Sequence, residues 1–185
     1  MLKEVYAEAE IRMKGAIQAL EEDLGGIRTG RASPALVERL QVEYYGNPTP
    51  LIQLASISVP EPRSLLIRPF DASSLKNVER AILASDLGLT PNNDGKQIRL
   101  NLPPLTEERR HDLVRVVHGR AEEARISIRN VRRDSIRDLR EFEQEKMISE
   151  DDLKRGEDEL QKITDRYIDL VGEISERKEK EIMEV

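Results

Sequence analysis

Between Thr106 and about Met147 the apolar residues recur at intervals of three and four without a break. A run of that length and period admits one backbone conformation, a long amphipathic α-helix. Leu113, Val117, Ala121, Ala124, Ile128, Val131, Leu139 and Phe142 fall on its seam, with Ser135 in register. Thr106 stands at the N-cap, and Glu107 and Glu108 occupy the first turn, where the helix dipole favours carboxylates. At about 1.5 Å per residue, roughly 42 residues reach on the order of 60 Å. A rod of that length needs partner helices of comparable reach.

Two other segments supply them. Near the N-terminus Val5, Ala9, Met13, Ala16, Leu20, Leu24 and Ile27 repeat the spacing, and Gly25-Gly26 frays or ends that helix. After the long helix, Ser149 followed by Asp152 has the form of a capping box, with Asp in place of the usual Glu or Gln. It opens a third helix on the seam Leu153, Leu160, Ile163, Tyr167, Leu170 and Ile174. The link before it is only a few residues, so the second and third helices are antiparallel neighbours. The first stripe completes an antiparallel three-helix bundle from residues 1–30 and 105–185.

The intervening residues, 31–104, change period. Leu40, Val42 and Tyr44 alternate ahead of Gly46-Asn47, which reads as a strand and turn. Leu51 to Val59 and Ser64 to Phe70 are apolar, β-branched-rich runs parted by Pro60-Glu61-Pro62. Leu75, Val78, Ile82 and Leu83 have helical spacing, and Asp94-Gly95 leads to the alternating Ile98, Leu100 and Leu102. The fold class is therefore α+β, with a small β/α/β domain inserted into the bundle. Its two connections, about 26–31 and 102–106, contain Gly30 on one side and Pro103-Pro104 on the other. Glycine leaves the backbone free, and paired prolines hold it extended. These connections act as a hinge with few allowed directions, or as two linkers locked by an interdomain contact.

Charge narrows the function. The chain carries a formal −6, yet residues 107–140 sum to +3 and residues 141–185 to −8. Between Glu107 and Arg140 there are ten arginines, no lysine and seven carboxylates. Arg125, Arg129, Arg132 or Arg133, Arg137 and Arg140 recur at helical spacing as a ladder. Arginine presents a planar fork that matches phosphate, where lysine presents a point charge. The ladder points to a structured polyanion, most simply RNA, with the acidic third helix repelling RNA from the opposite side. The competing reading is a solvated face laced with ion pairs.

Other chemistry finds little footing. Without cysteine there are no disulfides or thiolate metal sites. His111 and His118 share a helix face with no third ligand nearby in sequence, so no metal is expected. Gly25-x4-Gly30 lacks the Lys-Ser/Thr of a phosphate-binding loop and follows a helix instead of a strand. No serine elbow or zinc-protease motif occurs, so neither catalytic residues nor a cofactor are expected. No apolar run approaches the roughly 20 residues that span a bilayer. The helical pattern begins within a few residues of Met1, so no signal peptide and a cytoplasmic protein are expected.

Four runs carry a family resemblance: RTGRASPALVERLQVEYYGNPTPL, SVPEPRSLLIRPFD, SDLGLTPNNDGKQIRLNLPPLTEERR and ARISIRNVRRDS. In order and length the chain resembles the bacterial ribosome recycling factor family over nearly its full extent. The resemblance implies an elongated, L-shaped molecule, a three-helix bundle with a β/α/β domain on a two-strand hinge. It implies a monomeric translation factor, not an enzyme, that binds the post-termination ribosome and, with elongation factor G and GTP, splits it into subunits. Carried onto this sequence, its ribosomal RNA contacts fall on Arg129 and Arg132 of RNVRR and on Arg110 and Arg133. Arg28 and Arg31 of RTGR match positions that approach large-subunit RNA, and the partner factor is implied to push the hinged domain against the intersubunit bridge region. The rival class is a helical-bundle adaptor or chaperone that grips other proteins without RNA. It needs a large exposed apolar patch, whereas the stripes here are consumed by the bundle.

Overall fold

A computed structural model describes residues 1–184; residue 185, assigned to the bundle from sequence, lies outside the described residues. The elements run α1 (Leu2–Gly25), β1 (Gln41–Tyr44), β2 (Asn47–Pro50), α2 (Leu51–Leu54), β3 (Ala55–Glu61), β4 (Ser64–Pro69), α3 (Leu75–Ala84), β5 (Pro91–Asn93), β6 (Ile98–Asn101), α4 (Glu107–Gln144) and α5 (Glu150–Met183). They gather into two compact units, one of residues 1–28 with 107–184 and the other of residues 29–106.

In the helical unit the long seam is buried as its spacing predicts: Leu113, Val117, Ala121, Ala124, Ile128, Val131, Ser135 and Leu139 all face inward, with Phe142 half-buried. The helix stops at Gln144, short of Met147, because Lys146 takes a left-handed φ of 59°. Its amide donates to the Glu143 carbonyl at 2.9 Å, and that of Met147 donates to the Phe142 carbonyl at 2.8 Å. Those two bonds form a Schellman motif that satisfies the last carbonyls. Ser149 then caps α5 reciprocally with Asp152. In α1 the seam passes through Ile17, not Ala16, and in α5 through Val171, not Leu170. The larger side chain takes the buried place in α1, where it removes more apolar area from water. In α5, Thr164 and Ser175 turn the seam toward Val171, and the buried Thr164 hydroxyl donates to the Leu160 carbonyl at 2.7 Å.

The helices pack tightly at Gly156 of α5. A Cβ there would lie 2.6 Å from Leu139 Cδ1, 3.5 Å from Leu2 Cδ2 and 3.6 Å from the Tyr6 hydroxyl. Only a residue without a side chain lets all three helices meet at that level.

The other unit is built from a β1–β2 hairpin and an antiparallel sheet of order β3-β4-β6-β5. The hairpin turns on Tyr45 (φ 48°) and Gly46 (φ 80°), the positive pair that a type I′ turn requires. Leu65, Ile67, Ile98 and Leu100 project from one face of the sheet into a core shared with Val42, Val78 and Ile82. The apolar run from Leu51 is not strand throughout. Its first four residues make the helical turn α2, and the strand begins at Ala55. Leu51 and Leu54 are both buried, and a three-residue step puts them on one side only if the backbone is helical.

Candidate nucleic-acid interface

Because α4 is straight-seamed, its polar residues are fixed in direction, and their partners can be read individually. Arg115 pairs with Asp112 at 3.7 Å, Arg120 with Glu123 at 3.1 Å and Arg137 with Asp134 at 3.3 Å, all one turn apart on α4. Glu122 receives both Arg125 and Arg129, each at 3.3 Å. Arg140 reaches across to Glu157 of α5 at 2.9 Å. The ion-paired face weighed against RNA binding is thus real for a good part of the ladder.

Two arginines depart from that pattern. Arg132 donates to the amide oxygen of Gln161 at 2.6 Å, a neutral acceptor whose own amide donates to Asp165 at 2.7 Å, and it forms no ion pair among the described residues. Arg133 is exposed and makes no hydrogen bond or ion pair among the described residues. These two consecutive arginines put positive charge in the middle of α4 that no ion pair among the described residues cancels. Exposed pairs are worth little, about 0–1 kcal/mol, so a phosphate can displace Glu122 from Arg129 at small cost.

The structure brings Arg129, Arg132 and Arg133 together within about one turn. Arg110 lies on the same helix, roughly 28 Å away along its axis. It donates to the Met183 carbonyl near the end of α5 at 3.0 Å. Arg28 ends the first chain segment of the helical unit and Arg31 belongs to the other unit. Both are exposed, without a hydrogen bond or ion pair among the described residues.

One electrostatic expectation is corrected. The acidic α5 does not stand opposite the ladder but packs beside it. Glu157 and Gln161 meet Arg140 and Arg132, and Glu179 meets His118 at 3.1 Å. Two antiparallel helices that share a seam also share flanking positions, so opposite charges on their adjoining edges meet. On the other flank of α4, Asp134 pairs with Arg12 of α1 at 2.9 Å. The bond from Arg12 holds the Asp134 carboxyl below the usual carboxylate range. Sequence reasoning passed over Gln161, whose proximity to Arg132 depends on how α4 and α5 are aligned. Glu122 was findable, since it lies three and seven residues before Arg125 and Arg129. Among the described residues no cluster of three or more His, Cys, Asp or Glu is placed to hold a metal ion. Among the described residues no helix is long and apolar enough to cross a membrane.

Residues 20–183 match the family model described as Ribosome recycling factor. The chain belongs to the ribosome recycling factor family. Relatives named ribosome-recycling factor include that of Syntrophomonas wolfei, 54% identical over 185 residues, with each chain covered in full. That of Halalkalibacterium halodurans is 55% identical over the same 185 residues, again covering both chains completely. A solution structure of the ribosome recycling factor superposes with a TM-score of 0.72 at 47% identity, covering 100% of this chain and 98% of that one. A second structure aligns at TM-score 0.63 and 49% identity, covering 99% of each chain. It contains the Thermus thermophilus recycling factor and the Escherichia coli elongation factor G bound to the Escherichia coli post-termination complex. Family membership makes this chain a translation factor of ribosome recycling, and both the α+β fold and the helical bundle agree with it.

Proposed function

We propose that this protein binds the post-termination ribosome through large-subunit RNA and, with elongation factor G and GTP hydrolysis, separates the subunits for reuse. The observation that carries the reading is the pair Arg132 and Arg133, which form no ion pair among the described residues of a chain with net charge −6. Around them Arg129 adds a third fork, Arg110 contacts RNA farther along α4, and Arg28 and Arg31 approach it beside the connection between units. The relative bound with elongation factor G to the post-termination complex supports the choice of partner. The protein works as a cytoplasmic monomer and supplies no chemistry itself; the GTPase provides the energy.

The mechanism is mechanical. The bundle anchors on RNA, and the inserted domain is driven against the intersubunit bridge region about a hinge at 26–31 and 102–106. Among the described residues the chain crosses between the units twice, which suits that motion. Gly30 has φ 76°, and a Cβ there would sit 3.4 Å from Leu105 Cγ and 3.6 Å from the Pro103 carbonyl. Gly30, Pro103 and Pro104 therefore set the path of the two crossing strands. Because the chain lacks cysteine, one label can be placed on each unit without background. Spin labels at Ser58→Cys and Gln18→Cys are expected to give a broad distance distribution in the free protein, and one narrow distance refutes the hinge. Light scattering of vacant ribosomes is expected to fall when protein, elongation factor G and GTP are added together. No fall in scattering, with the factor bound, refutes subunit splitting.

A further inference from the structure

The inserted unit has a sheet face that its core does not use. Leu65, Ile67, Ile98 and Leu100 point inward, so the alternating residues of β4 and β6 point out. Across the four strands Ser58, Leu66, Arg99 and Asn92 are in register, and Ser56 lies opposite Arg68 in the next row. Both arginines have neutral partners: Arg68 donates to Gln97 at 3.1 Å and Arg99 to the Ser64 hydroxyl at 3.2 Å. Neither arginine forms an ion pair among the described residues, and two carboxylates stand at the rims. Glu61 pairs with Ser64 at one end of β4, and Asp94 at the other end already accepts from the amides of Lys96 and Gln97. On this face, then, the two arginines bond hydroxyl and amide groups, and the carboxylates are confined to its ends.

We propose that this sheet face is a second RNA-binding surface, on which Arg68 and Arg99 hold backbone phosphates and the Ser and Asn side chains bond sugar and phosphate oxygens. Positive charge that no ion pair neutralises is complementary to a polyanion. A protein partner of any stability would want an apolar centre, and Leu66 is the one large apolar side chain in these rows. Positions two apart on neighbouring strands bring long side chains within reach of one another, so the two guanidinium groups can bracket one stretch of backbone. The proposal rests on the ribosome as partner and adds a contact in the inserted unit.

The test uses full-length protein and vacant ribosomes. A photoreactive benzophenone on Ser56→Cys is expected to yield an adduct that ribonuclease shortens; an adduct to protein only, or none, overturns the proposal. In parallel, ribosome affinity is measured across a salt series for wild type, Arg68→Ala, Arg68→Ala/Arg99→Ala and Arg68→Lys/Arg99→Lys. The double alanine variant is expected to lose roughly tenfold or more in affinity. Its log-affinity against log-salt slope should shrink by about 1.4–1.8, the loss of two phosphate contacts, while the lysine pair keeps the slope. Arg68→Ala alone, whose partner Gln97 is only half-buried, guards against misfolding from an orphaned Ser64 and should lose about half that slope. Wild-type affinity and slope in the alanine variants overturn this inference alone. Failure of the wild-type chain to bind ribosomes overturns the proposed function together with it.

Discussion

At Gly156, where the bundle helices pack tightly, the effect of adding a side chain depends on a single neighbour. Gly156→Ala places a methyl 2.6 Å from Leu139 Cδ1, about 1 Å inside a normal carbon contact. Leu139 is fully buried, so it yields only by moving into other core atoms, at a cost of about 1–3 kcal/mol for overpacking. Replacing glycine by alanine inside a helix returns about 0.8–1 kcal/mol. The net expectation is a loss of roughly 0–2 kcal/mol. Leu139→Ala alone costs about 2–5 kcal/mol by leaving a cavity. With Leu139 truncated the clash is gone and only the propensity gain remains, so adding Gly156→Ala to Leu139→Ala should stabilise by up to about 1 kcal/mol. The coupling between the two sites is then about 1–3 kcal/mol, within the range of residues in contact. Urea unfolding followed by helical circular dichroism for the four proteins of this cycle measures it. If Gly156→Ala is equally stabilising with and without Leu139, the two helices are not packed as described.

Other outcomes follow from the helix ends. Ser149→Ala removes the oxygen that accepts from the Asp152 amide at 3.0 Å and should cost about 1 kcal/mol, read as a lower urea midpoint. Hydrogen bonds from Ser149 hold the Asp152 carboxyl below its ordinary range, and a bond from Arg12 does the same for Asp134. Both contributions are complete above the unfolded carboxyl value near 4 and are lost as pH falls through the lower folded values. Melting temperature should therefore drop below about pH 4, and Ser149→Asn/Asp152→Asn/Asp134→Asn should flatten that drop. Lys146→Gly should raise stability by a few tenths to about 1 kcal/mol, because φ 59° strains any residue with a Cβ. A lower melting temperature in that variant contradicts the Schellman description.

How much of this was legible in the chain follows from which forces are local. The α4 seam could be written from sequence because a 3.6-residue period and a buried face leave no second solution. The Ser149 cap was equally visible, since its bonds span three residues. The turn at Leu51–Leu54 was missed because a short apolar run reads the same as strand or helix; the arbiter is the core that Leu51 and Leu54 enter. The exchange of Ala16 for Ile17 on the α1 seam turns on one helical step, and side-chain volume settles that only against a packed partner. Arginine density was obvious, but which arginines stay unneutralised was not. Glu122 could be paired with Arg125 and Arg129 by spacing along α4, whereas Gln161 reaches Arg132, and Glu157 reaches Arg140, only once α5 is aligned beside α4.

The central claim is that the Arg132 region anchors the protein on ribosomal RNA, and affinity for vacant ribosomes tests it most directly. Wild type, Arg132→Ala, Arg132→Lys and Arg120→Ala are compared at 50 and 200 mM salt, each beside its melting temperature. Arg120 is the control: it carries the same charge on the α1 side of α4, paired with Glu123. Arg132→Ala should weaken binding by roughly 10- to 150-fold, the loss of one charge-assisted hydrogen bond. Its fold should change by no more than about 0.5 kcal/mol, since it is a surface substitution. Arg132→Lys should recover part of the affinity, because it keeps the charge and loses the fork. Arg120→Ala should bind within a few-fold of wild type. Wild-type affinity in Arg132→Ala, or equal losses in Arg132→Ala and Arg120→Ala, would show that the arginines of α4 are a solvated, ion-paired surface and not an anchor.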